Sequence, residues 1–283
     1  MVLALLAVSA FLLALSHPHE ALAWGPGVHT ASARFVLANL DLVAPAVAAL
    51  IARFPKTFLY GCLSADFFVG KGTKIRPGHS HNWESAARLA RAATSDQLTV
   101  HALGYMSHLA ADVVAHNYYV PQVMARTALP GSLTHVYVEM QADSRLTGGH
   151  GIRGRLSMPA AQRMLDRNLA SALEKSPFTT FCRKRVFRGG MELTGLRGWD
   201  RSLRFAQRVL PLPDDRASLD AMFELSLRAV LDVLASPEST VLRQFDPIGS
   251  RNLSRAKLQM AESLDPRLIG LPKLPTPLYL DVA

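Results

Sequence analysis

The sequence predicts an all-α fold organised as a single multi-helix domain. Apolar residues recur at spacings of three and four along most of the 283-residue chain, which is the periodicity of amphipathic helices. Alternating apolar and polar residues, the pattern of strands, are scarce. Gly and Pro cluster between the periodic segments, where helices are expected to end. With 49% hydrophobic residues, a chain of this length can bury a substantial core.

The first 23 residues, MVLALLAVSAFLLALSHPHEALA, have the pattern of an export signal. An apolar run from Met1 to Leu15 precedes Ala21-Leu22-Ala23, the small-x-small pattern after which signal peptidase cuts. The run is short for a transmembrane helix, and no later segment reaches the roughly 20 apolar residues that span a bilayer. We therefore expect a secreted or periplasmic mature chain that begins at Trp24 and has no transmembrane segment. A buried N-terminal helix is the alternative.

The mature chain, residues 24–283, reads as one domain with a metal core in residues 24–145 and a helical C-terminal part in residues 146–283. Each predicted helix carries apolar residues on one face. In chain order the predicted helices are residues 29–40, 44–54, 84–93, about 96–118, 133–146, 159–173, 216–235 and about 254–263.

The chain is basic, with 31 Lys and Arg against 22 Asp and Glu and a formal net charge of +9. The densest basic patch is RKRVFR, residues 183–188, and the predicted loop at residues 70–78 is also basic. A basic surface favours anionic partners such as phospholipid headgroups or nucleic acid. A solvated surface without such a partner is the alternative.

Two cysteines, Cys62 and Cys182, are present. They could form one disulfide in an oxidising compartment, and the sequence leaves that pairing open. No Cys-x-x-Cys metal signature occurs. We expect both cysteines to be small core residues.

A row of polar residues interrupts the apolar segment ALGYMSHLAADVVAHNYYVP, residues 102–121. His108, Asp112 and His116 follow one another at steps of four, so on an α-helix they share an arc of about 80°. Adjacent members lie about 6 Å apart along the axis, close enough to share a metal ion or to flank two. A metal site is one explanation of this row. Buried polar groups satisfied by their neighbours are the other.

Further residues of metal-ligand type lie on both sides of this row. His135 and Glu139 repeat the four-residue spacing on the next predicted helix, which is a common way to present an imidazole and a carboxylate to one metal. Asp66 stands among apolar residues in GCLSADFF, and a buried carboxylate there requires a cation. The segment HSHNW adds His79 and His81.

The predicted new N-terminus adds a ligand of another kind. In AWGPGVHT, His29 lies five residues after Trp24. A free α-amine has a pKa of about 7.7–8.0, low enough for a metal ion to displace its proton at neutral pH. Signal cleavage would therefore create a metal ligand at Trp24.

Together these motifs resemble the zinc-dependent phospholipase C family, which shares its metal core with the P1/S1-type nucleases. The resemblance covers roughly residues 24–145 and rests on WGPGVH, YGCLSADFF, HSHNW, SHLAADVVAH and His-x-x-x-Glu. The segment YMSHLAADVVAH is most similar to the metal-site helix in the phospholipase domain of glycosylphosphatidylinositol-specific phospholipase D. The spacing from Trp24 to His29 is more similar to the nucleases. Bacterial secreted phospholipases have a longer gap than the four residues between Asp112 and His116.

The resemblance implies a fold of the phospholipase C/P1 nuclease type around three zinc ions. His79 is the alternative to His81, whose aromatic neighbourhood matches the family better. The implied ligand sets are Trp24, through its amine and carbonyl, with His29; then Asp66, His81 and His108, with Asp112 bridging these two ions; and finally His116, His135 and Glu139.

The resemblance also implies an exported zinc-dependent phosphodiester hydrolase. Zinc in such sites lowers the pKa of bound water toward about 7 and offsets charge on the phosphoryl group, and Asp66 would orient or deprotonate that water. The most specific expectation is a phospholipase C that cleaves the glycerol–phosphate bond of phospholipids, with an anionic membrane surface as the expected place of action. One alternative is a single-strand nuclease with Trp83, Tyr118 and Tyr119 stacking on bases. A second is an exported zinc-binding protein without catalysis.

Overall fold

The structure is helical throughout the part of the chain that it describes. The described part of the chain, whose ranges are given at the end of this paragraph, contains no strand, which confirms the predicted all-α fold. The predicted signal segment 1–23, the basic loop 70–78 and the predicted helix 254–263 lie outside them. The computed structural model describes residues 24–68, 79–124, 131–146, 161–194, 199–209, 216–238 and 240–250.

The helices follow the predicted order, with additions. In chain order they are α1 (Pro26–Ala38), α2 (Pro45–Arg53), α3 (Pro55–Ser64), α4 (Trp83–Arg91), α5 (Asp96–Val114), α6 (Val120–Met124), α7 (Gly131–Leu146), α8 (Gln162–Ala172), α9 (Pro177–Thr194), α10 (Trp199–Val209) and α11 (Arg216–Ala235). Short 3-10 turns lie at Leu40–Leu42, Ala65–Phe68 and Val241–Gln244.

Four helices, α3, α6, α9 and α10, are not predicted from the sequence pattern. Helix α3 is buried along most of its length, so it has no polar face to reveal its period. Helix α9 carries apolar residues on its exposed face as well as its buried one. No single helix among the described residues is long and apolar enough to cross a bilayer. Within the described ranges, one pair of segments, Pro45–Arg53 and Pro55–Phe68, reaches that criterion when joined, and the two are bent by 96°.

Local chemistry sets where the helices begin. Proline occupies the first turn of α1, α2 and α3, where its missing N–H has no intrahelical partner to lose. Asn82 caps α4, its side chain accepting from the N–H of Glu84 at 3.0 Å. Ser95 caps α5, accepting from the N–H of Leu98 at 3.4 Å. The cap at Ser95 thus marks where α5 begins.

Helix α5 lies at the centre of the fold. It is buried along most of its length and packs against α3, α4 and α11. Glycines allow α3 to approach it closely. A Cβ atom at Gly104 would overlap the carbonyl oxygen of Phe58, and one at Gly61 would overlap the carbonyl oxygen of His101. The contact between these two backbones brings the end of α3 beside the middle of α5.

The predicted continuous α-helix from about residue 96 to about 118 is wrong at its C-terminal end. Residues Ala115–Tyr119 form a π-helical turn between α5 and α6. A π-helix holds more residues per turn than an α-helix, so a step of four from Asp112 no longer keeps His116 in the same row. The C-terminal segment holds this turn, because the Asn117 amide donates to the carbonyl oxygens of Val113 and Asp246, both at 2.9 Å.

The two cysteines are both unpaired. Cys62 is buried in α3, whereas Cys182 is exposed on α9. The prediction of a core position is therefore right for Cys62 and wrong for Cys182, because Cys182 lies on the face of α9 that points away from the core.

Candidate metal centre

Five side chains from four parts of the chain converge in the interior. His29 comes from α1, Asp66 from the turn that follows α3, and His81 from the segment before α4. His108 and Asp112 come from α5, one helical turn apart. All five are at most 5% exposed, and two overlapping groups of three among them could each hold a metal ion.

Six pairs of donor atoms among these side chains lie 3.0–3.5 Å apart. Donors bound to one zinc ion at about 2.0–2.1 Å in a tetrahedron lie about 3.3–3.4 Å apart, and the observed distances scatter around that value. Asp112 Oδ1 lies 3.1 Å from His29 Nε2, and Asp112 Oδ2 lies 3.2 Å from His81 Nε2 and 3.1 Å from His108 Nε2. Asp66 Oδ1 lies 3.3 Å from His81 Nε2 and 3.5 Å from His108 Nε2. The Nε2 atoms of His81 and His108 lie 3.0 Å apart.

Hydrogen bonding does not satisfy the centre of this cluster. Within the described part of the chain, both carboxylate oxygens of Asp112 and Nε2 of His29 are buried without a well-formed hydrogen bond. A buried carboxylate in that state is costly unless a cation compensates it. The residues present therefore fit a metal ion.

Hydrogen bonds behind the imidazoles aim them at this centre. His108 Nδ1 lies 2.9 Å from the carbonyl oxygen of Cys62, and since a carbonyl only accepts, Nδ1 carries the proton and Nε2 offers its lone pair to the cluster. His81 Nδ1 lies 3.1 Å from the hydroxyl of Ser80. Metal-bound histidines commonly have such partners on the second ring nitrogen.

The structure places His81, and not His79, among the converging donors. His79 Nδ1 accepts the backbone N–H of His81 at 3.0 Å, and the carbonyl oxygen of His79 accepts from Ser85 at 2.9 Å. His79 therefore orients the backbone that carries the His81 ring.

The charged groups of the cluster shift one another's pKa values. Burial would raise the pKa of Asp112, but the neighbouring charges of His108 and His29 outweigh it and hold the pKa well below its usual value. Burial would lower the pKa of His81, but contacts with Asp112 and Asp66 raise it to about 9. The same balance raises the pKa of His108, whereas burial and the charge of His108 lower that of His29. Without a metal, the cluster therefore binds protons in its place.

A comparison with known families gives this cluster its context. The model of the zinc-dependent phospholipase C family matches residues 28–185, more than half of the chain. This chain belongs to the zinc-dependent phospholipase C family. Searches among curated proteins and among solved structures each gave no match. The family match contains all five converging side chains, and imidazole and carboxylate donors are suited to zinc.

The residues expected at a third zinc ion are less completely described. His116 is buried in the π-helical turn, and Glu139 is 3% exposed in α7. Burial and the charges of Asp112 and Asp66 raise the pKa of Glu139 well above its usual value, so this carboxyl lies in the electrostatic field of the five-residue cluster. The side chain of His135 lies outside the described residues. The trinuclear site stays a prediction.

Trp24 is the residue that would become the N-terminus on signal cleavage. It is buried, with 1% of its surface exposed to solvent. Its indole N–H donates to the hydroxyl of Ser226 in α11 at 2.9 Å. Its ring stacks on Tyr119 with the centroids 5.0 Å apart. The side chain is therefore held at two points that are distant from it in sequence.

Asp143 is a positioning residue that was not predicted from the sequence. Its two carboxylate oxygens accept the N–H groups of Gly27 and Val28, both at 2.9 Å, and so cap the start of α1. Burial raises its pKa to about 7 even though these two hydrogen bonds lower it. A signal was present, since Asp143 follows Glu139 by four residues and extends the spacing of His135 and Glu139.

Proposed function

We propose that this protein is an exported zinc-dependent phosphodiesterase, most specifically a phospholipase C that hydrolyses the glycerol–phosphate bond of phospholipids. One observation carries the proposal. In a chain of the zinc-dependent phospholipase C family, three imidazole nitrogens and two carboxylates meet in a buried cluster at 3.0–3.5 Å. Bound zinc would supply the Lewis acid and the activated water for attack at phosphorus.

The two oxygens of Asp112 suit it to bridge two metal ions. Oδ1 faces Nε2 of His29, and Oδ2 faces Nε2 of both His81 and His108. A carboxylate that presents its oxygens to two different sets of imidazoles can bind one ion with each. This arrangement supports Asp112 as the bridge between the His29 ion and the ion of His81 and His108.

Asp66 is proposed as both a ligand and the catalytic carboxylate. Its Oδ1 lies 3.3 Å from His81 Nε2 and 3.5 Å from His108 Nε2. It stands on the 3-10 turn that follows α3, and not on the central helix α5. From that position the carboxylate would orient the attacking water or accept its proton.

A third zinc ion, held by His116, His135 and Glu139, completes the proposed site. The raised pKa of Glu139 supports it, since a cation beside this buried carboxyl would offset the field of Asp66 and Asp112. Export and signal cleavage before Trp24 are part of the same proposal, because the α-amine of Trp24 would then be free to bind the ion of His29.

The nuclease alternative receives less support. Trp83, Tyr118 and Tyr119 are at most 8% exposed. The indole of Trp83 donates to the carbonyl oxygen of Phe245 at 3.0 Å, and Tyr119 stacks on Trp24. Aromatic rings engaged in the core in this way do not offer a face on which a base can stack.

A two-substrate assay with metal analysis tests the proposal. Mature protein from residue 24 is loaded with zinc and assayed on phosphatidylcholine and on single-stranded DNA. We expect release of diacylglycerol, with zinc bound, and its loss in Asp66→Asn. Turnover of DNA alone would favour the nuclease, and bound zinc without turnover of either substrate would favour a binding protein.

A further inference from the structure

Helix α9 exposes large apolar side chains that the metal site does not use. Phe178 is 76% exposed, Phe181 58% and Val186 75%. The guanidinium of Arg185 lies over the Phe181 ring, 5.3 Å from its centroid. A soluble helix normally places polar residues on its outer face. Apolar side chains gathered there indicate an interaction surface.

The opposite face of α9 is firmly packed, so the exposed face cannot turn inward. Thr180, Lys184 and Phe187 are buried. Lys184 binds Asp166 at 2.6 Å, and the Phe187 ring lies 5.2 Å from that of Phe67. Phe67 follows Asp66 directly in sequence. The exposed face of α9 therefore lies one helix thickness, about 10 Å, from the turn that carries a metal-site residue.

The next helix repeats the pattern. In α10, which contacts α9, Phe205 is 67% exposed and Val209 59%. Arg201, Arg204 and Arg208 are exposed on the same helix. The exposed apolar residues of both helices thus stand among arginines, and we call this set of residues on α9 and α10 the basic apolar face.

The composition of the basic apolar face selects its partner. Two copies of the chain meeting on this face would oppose arginines with arginines, which costs energy. An anionic lipid surface satisfies both components, since Phe and Val enter the interface while arginines bind headgroup phosphates. We propose that the basic apolar face docks the protein on an anionic phospholipid membrane. This proposal rests on the proposed function for its substrate, although docking itself does not require catalysis.

Vesicle binding tests the docking proposal directly. The zinc-loaded mature protein is sedimented with vesicles of phosphatidylcholine alone, or of phosphatidylcholine and phosphatidylserine in equal parts. We expect clear preference for the anionic vesicles. Phe178→Ser with Phe181→Ser should weaken that binding by at least about tenfold, and Arg185→Gln with Arg204→Gln by about fivefold for each arginine.

Matched controls use exposed residues elsewhere. Leu42 is 53% exposed in another part of the chain, and Arg34 is exposed on α1. Leu42→Ser and Arg34→Gln should leave vesicle binding unchanged. Equal losses in these controls, or equal binding of the unmodified protein to neutral and anionic vesicles, would overturn the proposal. Dimerisation that is abolished by Phe178→Ser with Phe181→Ser would instead assign the face to a second copy.

A soluble substrate separates docking from catalysis. Hydrolysis of a short-chain phosphatidylcholine below its micellar concentration should be unchanged in the Phe178→Ser, Phe181→Ser variant, whereas hydrolysis of anionic vesicles should fall with binding. No hydrolysis of either substrate by a protein that still binds anionic vesicles would reject the proposed function and keep the docking surface. Hydrolysis of both without any loss in the variant would reject the docking surface alone.

Discussion

At the scale of single residues, the buried donor atoms of the candidate metal cluster satisfy one another's hydrogen-bonding capacity only in part. Asp112 presents both oxygens to imidazoles without a well-formed hydrogen bond among the described residues. Its low pKa keeps it charged, and the nearby Asp66 adds a second carboxylate. Such a cluster favours cations, and protons compete with metal for it.

Loss of one imidazole should reveal its share of the bound zinc. His108→Ala removes a donor that lies 3.1 Å from Asp112 and 3.0 Å from His81, so we expect loss of about one zinc ion per chain and at least about a 100-fold loss of activity. Zinc is measured by mass spectrometry of the dialysed protein. Unchanged zinc would remove His108 from the site.

Zinc binding should release protons and weaken as the pH falls. The pKa of His81 is raised to about 9 in the folded, metal-free protein. Protonation of His81 therefore stabilises the metal-free fold fully at pH values below the pKa of the unfolded chain, about 6.5. This stabilisation is lost as the pH rises through about 9. Zinc must displace that proton, so its affinity should fall by up to about tenfold per pH unit for each proton displaced. Calorimetry in two buffers of different ionisation enthalpy counts the protons. No release near neutral pH would contradict this.

His101 offers a contrasting case on the same helix. Both of its ring nitrogens are buried without a hydrogen bond to the described residues, and burial lowers its pKa to about 4. The unfolded chain then binds more protons than the folded one between about pH 6.5 and about pH 4, so stability falls as the pH falls through that range. His101→Phe should flatten this loss and raise the free energy of unfolding by about 1–3 kcal/mol.

Urea unfolding at two pH values checks the His101 prediction, with zinc content as a control. Zinc should be unchanged in His101→Phe, because this ring faces Tyr60 at 5.7 Å and is not among the converging donors. A loss of zinc would mean that His101 belongs to the site.

At the scale of elements, the crossing of α3 and α5 is the contact that builds the metal cluster. Gly61 and Gly104 let the two backbones touch. The carbonyl oxygen of Cys62 thereby reaches His108 Nδ1 at 2.9 Å, and Asp66 follows at the end of the same segment. The orientation of His108 and the position of Asp66 both depend on this close approach.

Gly104→Ala should therefore lower both stability and zinc affinity. The added methyl group would overlap the backbone of Phe58, so α3 and α5 must separate at a cost of about 1–3 kcal/mol. Gly189→Ala is the matched control, since this helical glycine is exposed with no atom within 4 Å of the added Cβ. It should be neutral or stabilise by about 0.5–1 kcal/mol. The two variants are compared by thermal unfolding with and without zinc. Equal unfolding temperatures in Gly104→Ala and Gly189→Ala would contradict the idea that the close crossing of α3 and α5 supports stability and zinc binding.

At the scale of the whole molecule, distant segments meet around the expected N-terminus and the π-helical turn. Ser226 of α11 and Tyr119 hold the Trp24 side chain, and Asp143 of α7 holds the start of α1. Gly249 has a positive φ of 57°, and a side chain there would overlap the backbone of His116. The segment that contains Gly249 therefore helps to shape the half of the chain that carries the candidate metal cluster.

The fixed indole of Trp24 makes the expected α-amine ligand testable. A mature protein with one extra residue before Trp24 should lose zinc affinity and activity, because the amine would be displaced while the indole stays fixed by Ser226. Zinc content and activity are compared with those of the protein that begins at Trp24. Full activity in a chain that retains residues 1–23 would contradict the amine as a ligand.

The sequence by itself determined the helical class, most helix positions and the residue types of the metal cluster, because periodicity, caps and ligand spacing are local properties of the chain. It also indicated the family, which the match to residues 28–185 confirms. Local patterns did not reveal α3, because it is buried along most of its length and has no polar face. They did not reveal α9, because both its exposed face and its buried face carry apolar residues.

Only the tertiary structure decided which donors meet. It placed the ring of His81 in the cluster and gave His79 a backbone partner. It converted the end of the central helix into a π-helical turn held by Asp246, and it revealed Asp143 as the cap of α1. These outcomes depend on contacts between residues far apart in sequence, and the free energy of such contacts is set by packing and burial that no local spacing contains.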